Sequence, residues 1–121
     1  MLFRKMIEEG QVRGNLKKVT PDTCLFESGS PNKELYYLIT GSAQVTPVTG
    51  VPRKVQAGTL LGLPDLMRDN YSYTVVTTEP TEVLCIPKEE LQQMLQVDPA
   101  LRLYLIQQMS KHTMLTSTSY E

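Results

Sequence analysis

The residues able to do chemistry are few. The chain holds one histidine, His112, and two cysteines, Cys24 and Cys85. A metal site in a β-rich scaffold wants several His, Cys or acidic ligands gathered at one point, and a single histidine placed after the strands cannot assemble one. No Ser-His-acid or Cys-His arrangement can be assigned from the spacing either. Catalysis is therefore not expected, and no cofactor is. One segment offers chemistry of another kind. In Gly62-Leu63-Pro64-Asp65-Leu66-Met67 a glycine turn opens a short helical stretch, which leaves backbone N–H groups unpaired and able to hold an anion. Glycine turns are common, however, and most of them only reverse the chain.

The elements that would carry this segment follow from composition and punctuation. At 121 residues, with 40% apolar and 21% charged, the chain has the length and character of one globular domain. Twelve Lys and Arg against thirteen Asp and Glu leave a net charge of −1, without the basic excess of a free-standing nucleic-acid binder. The longest apolar runs, such as 35–39, are too short to span a bilayer, and the acidic start MLFRKMIEEG does not suit a signal peptide. Two cysteines make no disulfide framework, so a reducing, cytoplasmic setting is expected.

Residues 1–10 read as a short helix, with Leu2, Phe3, Met6 and Ile7 at helical spacing and Gly10 closing it. Residues 11–87 then change to short runs of Val, Leu, Ile, Thr and Tyr, broken by turn chemistry at 14–15, 20–22, 28–32, 49–52 and 67–70. Strands at that spacing predict an antiparallel sandwich or barrel rather than a parallel sheet. Within 81–86, Val83 and Cys85 should face one way, with Leu84 and Ile86 facing the other. Residues 88–118 read as helical: a short helix behind Pro87, then a longer one that Asp98-Pro99 opens and that runs toward Ser117. On the longer helix Leu101, Leu105, Met109 and His112 form one stripe, and Leu103, Ile106, Thr113 and Ser117 form another. Two stripes suit a helix that covers its own domain with one face and meets a partner with the other; a single wide core face is the alternative.

Leu25-Phe26-Glu27-Ser28-Gly29, the run Leu35 to Val45 (LYYLITGSAQV), Ala57-Gly58-Thr59-Leu60-Leu61-Gly62 and Tyr73-Thr74-Val75-Val76-Thr77 resemble the cyclic nucleotide-binding domain. Ile86-Pro87-Lys88-Glu89-Glu90-Leu91 and Gln96-Val97-Asp98-Pro99-Ala100-Leu101 resemble the end of the barrel and the start of the dimer helix in catabolite-activator-type regulators. The resemblance covers residues 12–119 and implies a single domain: an eight-stranded antiparallel jelly-roll β-barrel with a short N-terminal helix and a long C-terminal helix. Gly29, Gly41, Gly58 and Gly62 fall where strands must turn, and positive φ is expected there.

The resemblance also implies what a nucleotide would need: a glutamate just after the cassette glycine for the ribose hydroxyl, and an arginine for the phosphate. Leu63 stands at the glutamate position and Tyr71 at the arginine position. Ser72 matches a serine that touches the phosphate, and Arg68 lies three residues before Tyr71, within swinging distance of it. Thr116 and Ser117 fall where relatives carry hydroxyls that contact the adenine. Haem sensing, known among relatives, would rest on His112, Cys24 or Cys85 without a motif around them. Burying a phosphate with no paired cation is costly, so ordinary cAMP or cGMP binding is not expected.

The expected function is a non-catalytic regulatory or sensor module with no direct nucleic-acid contact and no membrane segment. Its ligand-binding candidates are Gly62, Leu63, Arg68, Tyr71, Ser72, Thr116 and Ser117, for an unidentified small ligand. Its expected homodimer forms through Leu103, Ile106 and Thr113 on the C-terminal helix. Two alternatives stand beside it: a divergent cyclic nucleotide sensor of a transcription regulator, or a ligand-free dimerisation or protein-interaction module. A DNA-reading helix-turn-helix module is not expected within these residues.

Overall fold

The structure, a computed structural model, describes residues 2–10, 12–66, 68–104 and 106–107. Helix α1 (Leu2–Glu8) precedes the strands β1 (Asn15–Val19), β2 (Cys24–Phe26), β3 (Glu34–Thr40), β4 (Ser42–Pro47), β5 (Arg53–Gln56) and β6 (Leu60–Leu61). A 3-10 turn (Leu63–Asp65) leads on to β7 (Tyr73–Thr77), β8 (Thr81–Pro87) and helix α2 (Lys88–Val97). Residues 99–104 and 106–107 are helical as well.

Two four-stranded antiparallel sheets result, ordered β1-β8-β3-β6 and β2-β7-β4-β5. Among the described residues the strands number eight, as predicted, but they form two sheets that are not closed into a barrel. Closure needs the edge strands of the two sheets to pair along their length. Here β6 has two residues and β2 has three, too few to carry a ladder onto a second neighbour.

The sheet β1-β8-β3-β6 is covered on both faces, and strand alternation decides which side chain goes where. Leu35 and Tyr37 of β3, with Leu84 and Ile86 of β8, pack against Met6 of α1, Leu91 of α2 and Leu101. Leu38 of β3, with Val83 and Cys85 of β8, packs instead against Phe26, Val45, Tyr73 and Val75 from the other sheet. The alternation expected within 81–86 is the one observed. A helix-side core and an inter-sheet core thus share a single sheet between them. Each fully buried Leu, Ile or Val in it contributes about 1.5–3 kcal/mol relative to exposure.

Turns tie the strands at their ends. Gly29, Gly41, Gly58 and Gly62 all take positive φ, between +90° and +95°. At Gly41 space is the constraint as well, since a Cβ would lie 2.4 Å from the Thr81 hydroxyl and 2.7 Å from the Pro80 carbonyl oxygen. After α2, Asp98 adopts an extended backbone, and its Oδ1 accepts the Leu101 amide at 3.0 Å. It thereby caps the helical residues that follow, as the Asp98-Pro99 pair predicts. The expected continuation of that helix toward Ser117 lies outside the described residues.

Candidate functional site

The segment expected to hold an anion folds as predicted in outline and differs in its chemistry. Gly62, at φ +94°, caps the 3-10 turn Leu63–Asp65, and Pro64 supplies the fixed φ that suits its start. The Gly62 amide is not left for a ligand. It donates to the Tyr73 hydroxyl at 2.6 Å, in a buried bond. Burial pushes the Tyr73 phenol far above its ordinary range, so the hydroxyl stays neutral and serves as a plain acceptor.

Leu63 and Tyr71, expected to face one pocket, part company. The 3-10 turn sends Leu63, fully buried, into the helix-side core with Leu35, Leu91 and Leu101. Tyr71 enters the inter-sheet core, 5% exposed. Its ring stacks on Phe26 with centroids 3.8 Å apart, and Phe26 also meets Tyr73 edge-on at 5.3 Å. The Tyr71 hydroxyl donates to the Glu34 carbonyl at 2.5 Å and accepts from the Glu34 amide at 3.4 Å. Burial raises the Tyr71 phenol too, against the opposing pull of its bond to Glu34. A phenol held between an aromatic face and a strand backbone, its ionisation opposed by burial, is a packing element.

The backbone around Tyr71 is pinned in place. The Tyr71 amide donates to the Ser30 carbonyl at 2.9 Å, and its own carbonyl accepts the Gly29 amide at 2.8 Å. The Asn32 amide reaches the Asp69 carbonyl at 2.8 Å. This lashing of residues 29–32 to 69–71 fixes where Ser72 points. The Ser72 amide and Oγ–H both donate to one oxygen of Asp65, Oδ2, at 2.8 and 2.9 Å. Asp65 is fully buried, and its other oxygen, Oδ1, has no hydrogen-bond partner. The Asn32 side-chain amide donates to the Asp65 backbone carbonyl, and the Asn32 Oδ1, also buried, has no partner.

Arg68 is exposed, and only its backbone engages the turn, through its amide to the Asp65 carbonyl at 2.9 Å. Of the ligand-binding candidates, the fold brings Gly62, Tyr71 and Ser72 together around Tyr73 and Asp65, leaves Arg68 outside, and turns Leu63 away. Thr116 and Ser117 lie outside the described residues, as do His112 and Thr113. On the helical residues 99–104 and 106–107, Leu101 is fully buried whereas Leu103 and Ile106 are 58% and 52% exposed; Leu105, Met109, His112, Thr113 and Ser117, the rest of the two expected stripes, lie outside the described residues.

Asp65, Asn32, Phe26 and Glu34 are site residues that sequence reasoning did not single out; Tyr73 is expected, with Tyr71 and Leu63, to fill the pocket if the chain is a structural module, and of the three only Tyr71 and Tyr73 share the inter-sheet core. For Asp65 a signal existed. An acidic residue in the first turn behind a glycine is where a chain favours its own negative charge. Both cysteines are free thiols raised by burial, hence protonated near neutral pH and poorly nucleophilic. Among the described residues no three His, Cys, Asp or Glu side chains gather as metal ligands, and no helix is long and apolar enough to cross a membrane.

Comparison with known proteins fits this architecture. The family model for the cyclic nucleotide-binding domain matches residues 16–98. A transcriptional regulator of Thermotoga maritima superposes with a TM-score of 0.79 at 18% identity, over 98% of this chain and 94% of that one. The c-di-GMP-responsive global regulator CLP of Xanthomonas campestris gives 0.76 at 24% identity, over 95% of this chain and 61% of that one. The sensor domain of the transcriptional regulator DNR from Pseudomonas aeruginosa gives 0.68 at 20% identity, over 82% and 71%. At these identities the likeness is one of fold. No curated protein sequence matches the chain.

Proposed function

The chain belongs to the cyclic nucleotide-binding domain family, and on that premise we propose that it is a non-catalytic regulatory module that does not take up cAMP or cGMP in the ordinary way. The observation that carries this reading is Tyr71. At the position where a phosphate would need a cation, a neutral phenol stacks on Phe26 and spends its hydroxyl on the Glu34 backbone. An anionic phosphate placed there would be desolvated without a partner, at a cost of several kcal/mol. Arg68 is exposed, and bringing it in would require Tyr71 to leave the inter-sheet core.

The space between the sheets is filled by the chain's own aromatic side chains, Phe26, Tyr71 and Tyr73. This favours an interaction module over a small-molecule sensor. The exposed Leu103 and Ile106 then supply the functional surface, and the occupant we assign to it is a second copy of the chain. The eight strands in the order β1-β8-β3-β6 and β2-β7-β4-β5 are read as a two-sheet jelly roll that holds this helix in place.

Titration calorimetry of the chain with cAMP and with cGMP tests the reading. Absence of saturable heat is the expected result. One-to-one uptake of either nucleotide would refute it.

A further inference from the structure

Three parts of the chain converge behind the 3-10 turn. The Asn32 backbone amide donates to the Asp69 carbonyl at 2.8 Å, and its side-chain amide donates to the Asp65 carbonyl. Asp65 in turn spends its Oδ2 on the Ser72 amide and hydroxyl, at 2.8 and 2.9 Å. Asp65 is fully buried and Asn32 is 4% exposed. Each keeps one buried oxygen, Asp65 Oδ1 and Asn32 Oδ1, without a hydrogen-bond partner among the described residues. The Asn32 amide cannot simply be turned over. That would set its Oδ1 against the Asp65 carbonyl oxygen, which already accepts the Arg68 amide at 2.9 Å. Both orphaned atoms are therefore acceptors, which cannot satisfy each other and need a donor or a cation.

We propose that Asp65 Oδ1 and Asn32 Oδ1 are protein ligands of a monovalent alkali cation, K⁺ or Na⁺, which neutralises the Asp65 carboxylate and ties residues 32, 65 and 72 together. Charge decides between a cation and a water. Ser72 gives the carboxylate two hydrogen bonds but no countercharge, and no lysine or arginine among the described residues pairs with it. A water would supply donors and still leave the buried charge uncompensated. Charge also decides the valence. One carboxylate and one neutral carboxamide oxygen carry a single negative charge, which a monovalent ion balances. A divalent ion would reverse that charge and leave a surplus of positive charge buried. Hard cations of this kind take carboxylate, carboxamide and water oxygens, so no cluster of His, Cys or several acids is needed. Arg68, Asp69 and Asn70, in the loop between Asp65 and Ser72, are exposed, and solvent oxygens are at hand there to complete the shell.

Thermal unfolding of the full chain in KCl, NaCl and tetramethylammonium chloride, at one ionic strength so that screening is equal, tests this. K⁺ or Na⁺ should raise Tm saturably, on the order of a few degrees at concentrations well above the dissociation constant. Tetramethylammonium, too bulky to reach the buried oxygens, should not. Asp65→Asn keeps the size of the side chain and removes its charge, and should abolish the difference between the salts. Asp69→Asn alters an exposed carboxylate in the same loop and should preserve it. Equal Tm of the unaltered chain in all three salts, the result expected if water alone satisfies the two oxygens, would overturn the proposal. An undiminished difference in a folded Asp65→Asn would overturn it too. A second measurement needs no variant. The backbone amide resonances of Asn32 and Ser72 should shift saturably with K⁺ or Na⁺ and not with tetramethylammonium. A salt-specific rise in Tm without those shifts would place the ion elsewhere and overturn the proposal even if Asp65→Asn did not fold.

Discussion

The Gly62 amide and the Tyr73 hydroxyl meet at 2.6 Å inside the core, joining the turn after β6 to the first residue of β7. The donor expected from the sequence to be free for an anion is spent on the scaffold. Tyr73→Phe keeps the ring and removes only this acceptor, so the Gly62 N–H is left buried and unsatisfied. Denaturant unfolding should show a loss of about 1–3 kcal/mol.

Tyr71 separates packing from hydrogen bonding. Tyr71→Phe retains the stack on Phe26 and loses the bond to the Glu34 carbonyl, which should cost about 1 kcal/mol. Tyr71→Ala removes the ring as well and should cost about 3–5 kcal/mol. Equal losses in the two variants would mean that the stack contributes little.

Introducing the glutamate and arginine that the family resemblance implies at positions 63 and 71 should fail to install nucleotide binding. Leu63→Glu places a carboxylate in the fully buried helix-side core, and Tyr71→Arg places a guanidinium in the other core. The new charges cannot pair across the sheet, and each buried charge left unpaired costs roughly 3–5 kcal/mol. The double variant is expected to unfold at much lower denaturant and to give no heat with cAMP.

Alkaline pH offers a further check. Tyr36, Tyr71 and Tyr73 all have phenols raised above their ordinary value of 10.0, first of all by burial. A group with a raised folded pKa contributes stability that is whole below its unfolded pKa and is lost as pH rises toward the folded value. Stability should therefore hold up to about pH 10 and fall steeply above it, with these phenols ionising only as the chain unfolds. Phenolate absorbance followed beside circular dichroism checks this. Full ionisation of the tyrosines in a chain that remains folded would contradict it.

The helix surface yields its own prediction. Leu101→Ala empties a fully buried site and should cost about 2–5 kcal/mol. Leu103→Glu with Ile106→Glu alters exposed positions and should leave the stability of the single chain within about 0.5 kcal/mol. In sedimentation velocity at tens of micromolar, on the order of ordinary transient affinities, the unaltered chain should run as a dimer and the double variant as a monomer.

The fold was legible where a period of two is unambiguous. Val83 and Cys85 against Leu84 and Ile86 state in four residues that β8 is buried on both faces. Closure of the barrel was not legible, because it depends on the lengths of β6 and β2 at the sheet edges and not on any pattern within a strand. Leu63 and Tyr71 stand eight positions apart on either side of a turn, and sequence alone cannot say that the 3-10 turn carries them to opposite faces of one sheet. Tyr73 was legible as a residue that could fill the pocket, but not its hydroxyl bond to Gly62, which depends on where β6 ends. Asp65 lay in view within the glycine-led segment. What it binds depends on the fold of the loop that brings Ser72 back to it.

The central claim is that the cassette is closed to cyclic nucleotides, and titration calorimetry of the unaltered chain with cAMP and cGMP tests it most directly. The account predicts no saturable heat from either nucleotide. A one-to-one binding isotherm would contradict it, because the Tyr71 stack on Phe26 would then have to yield to a phosphate.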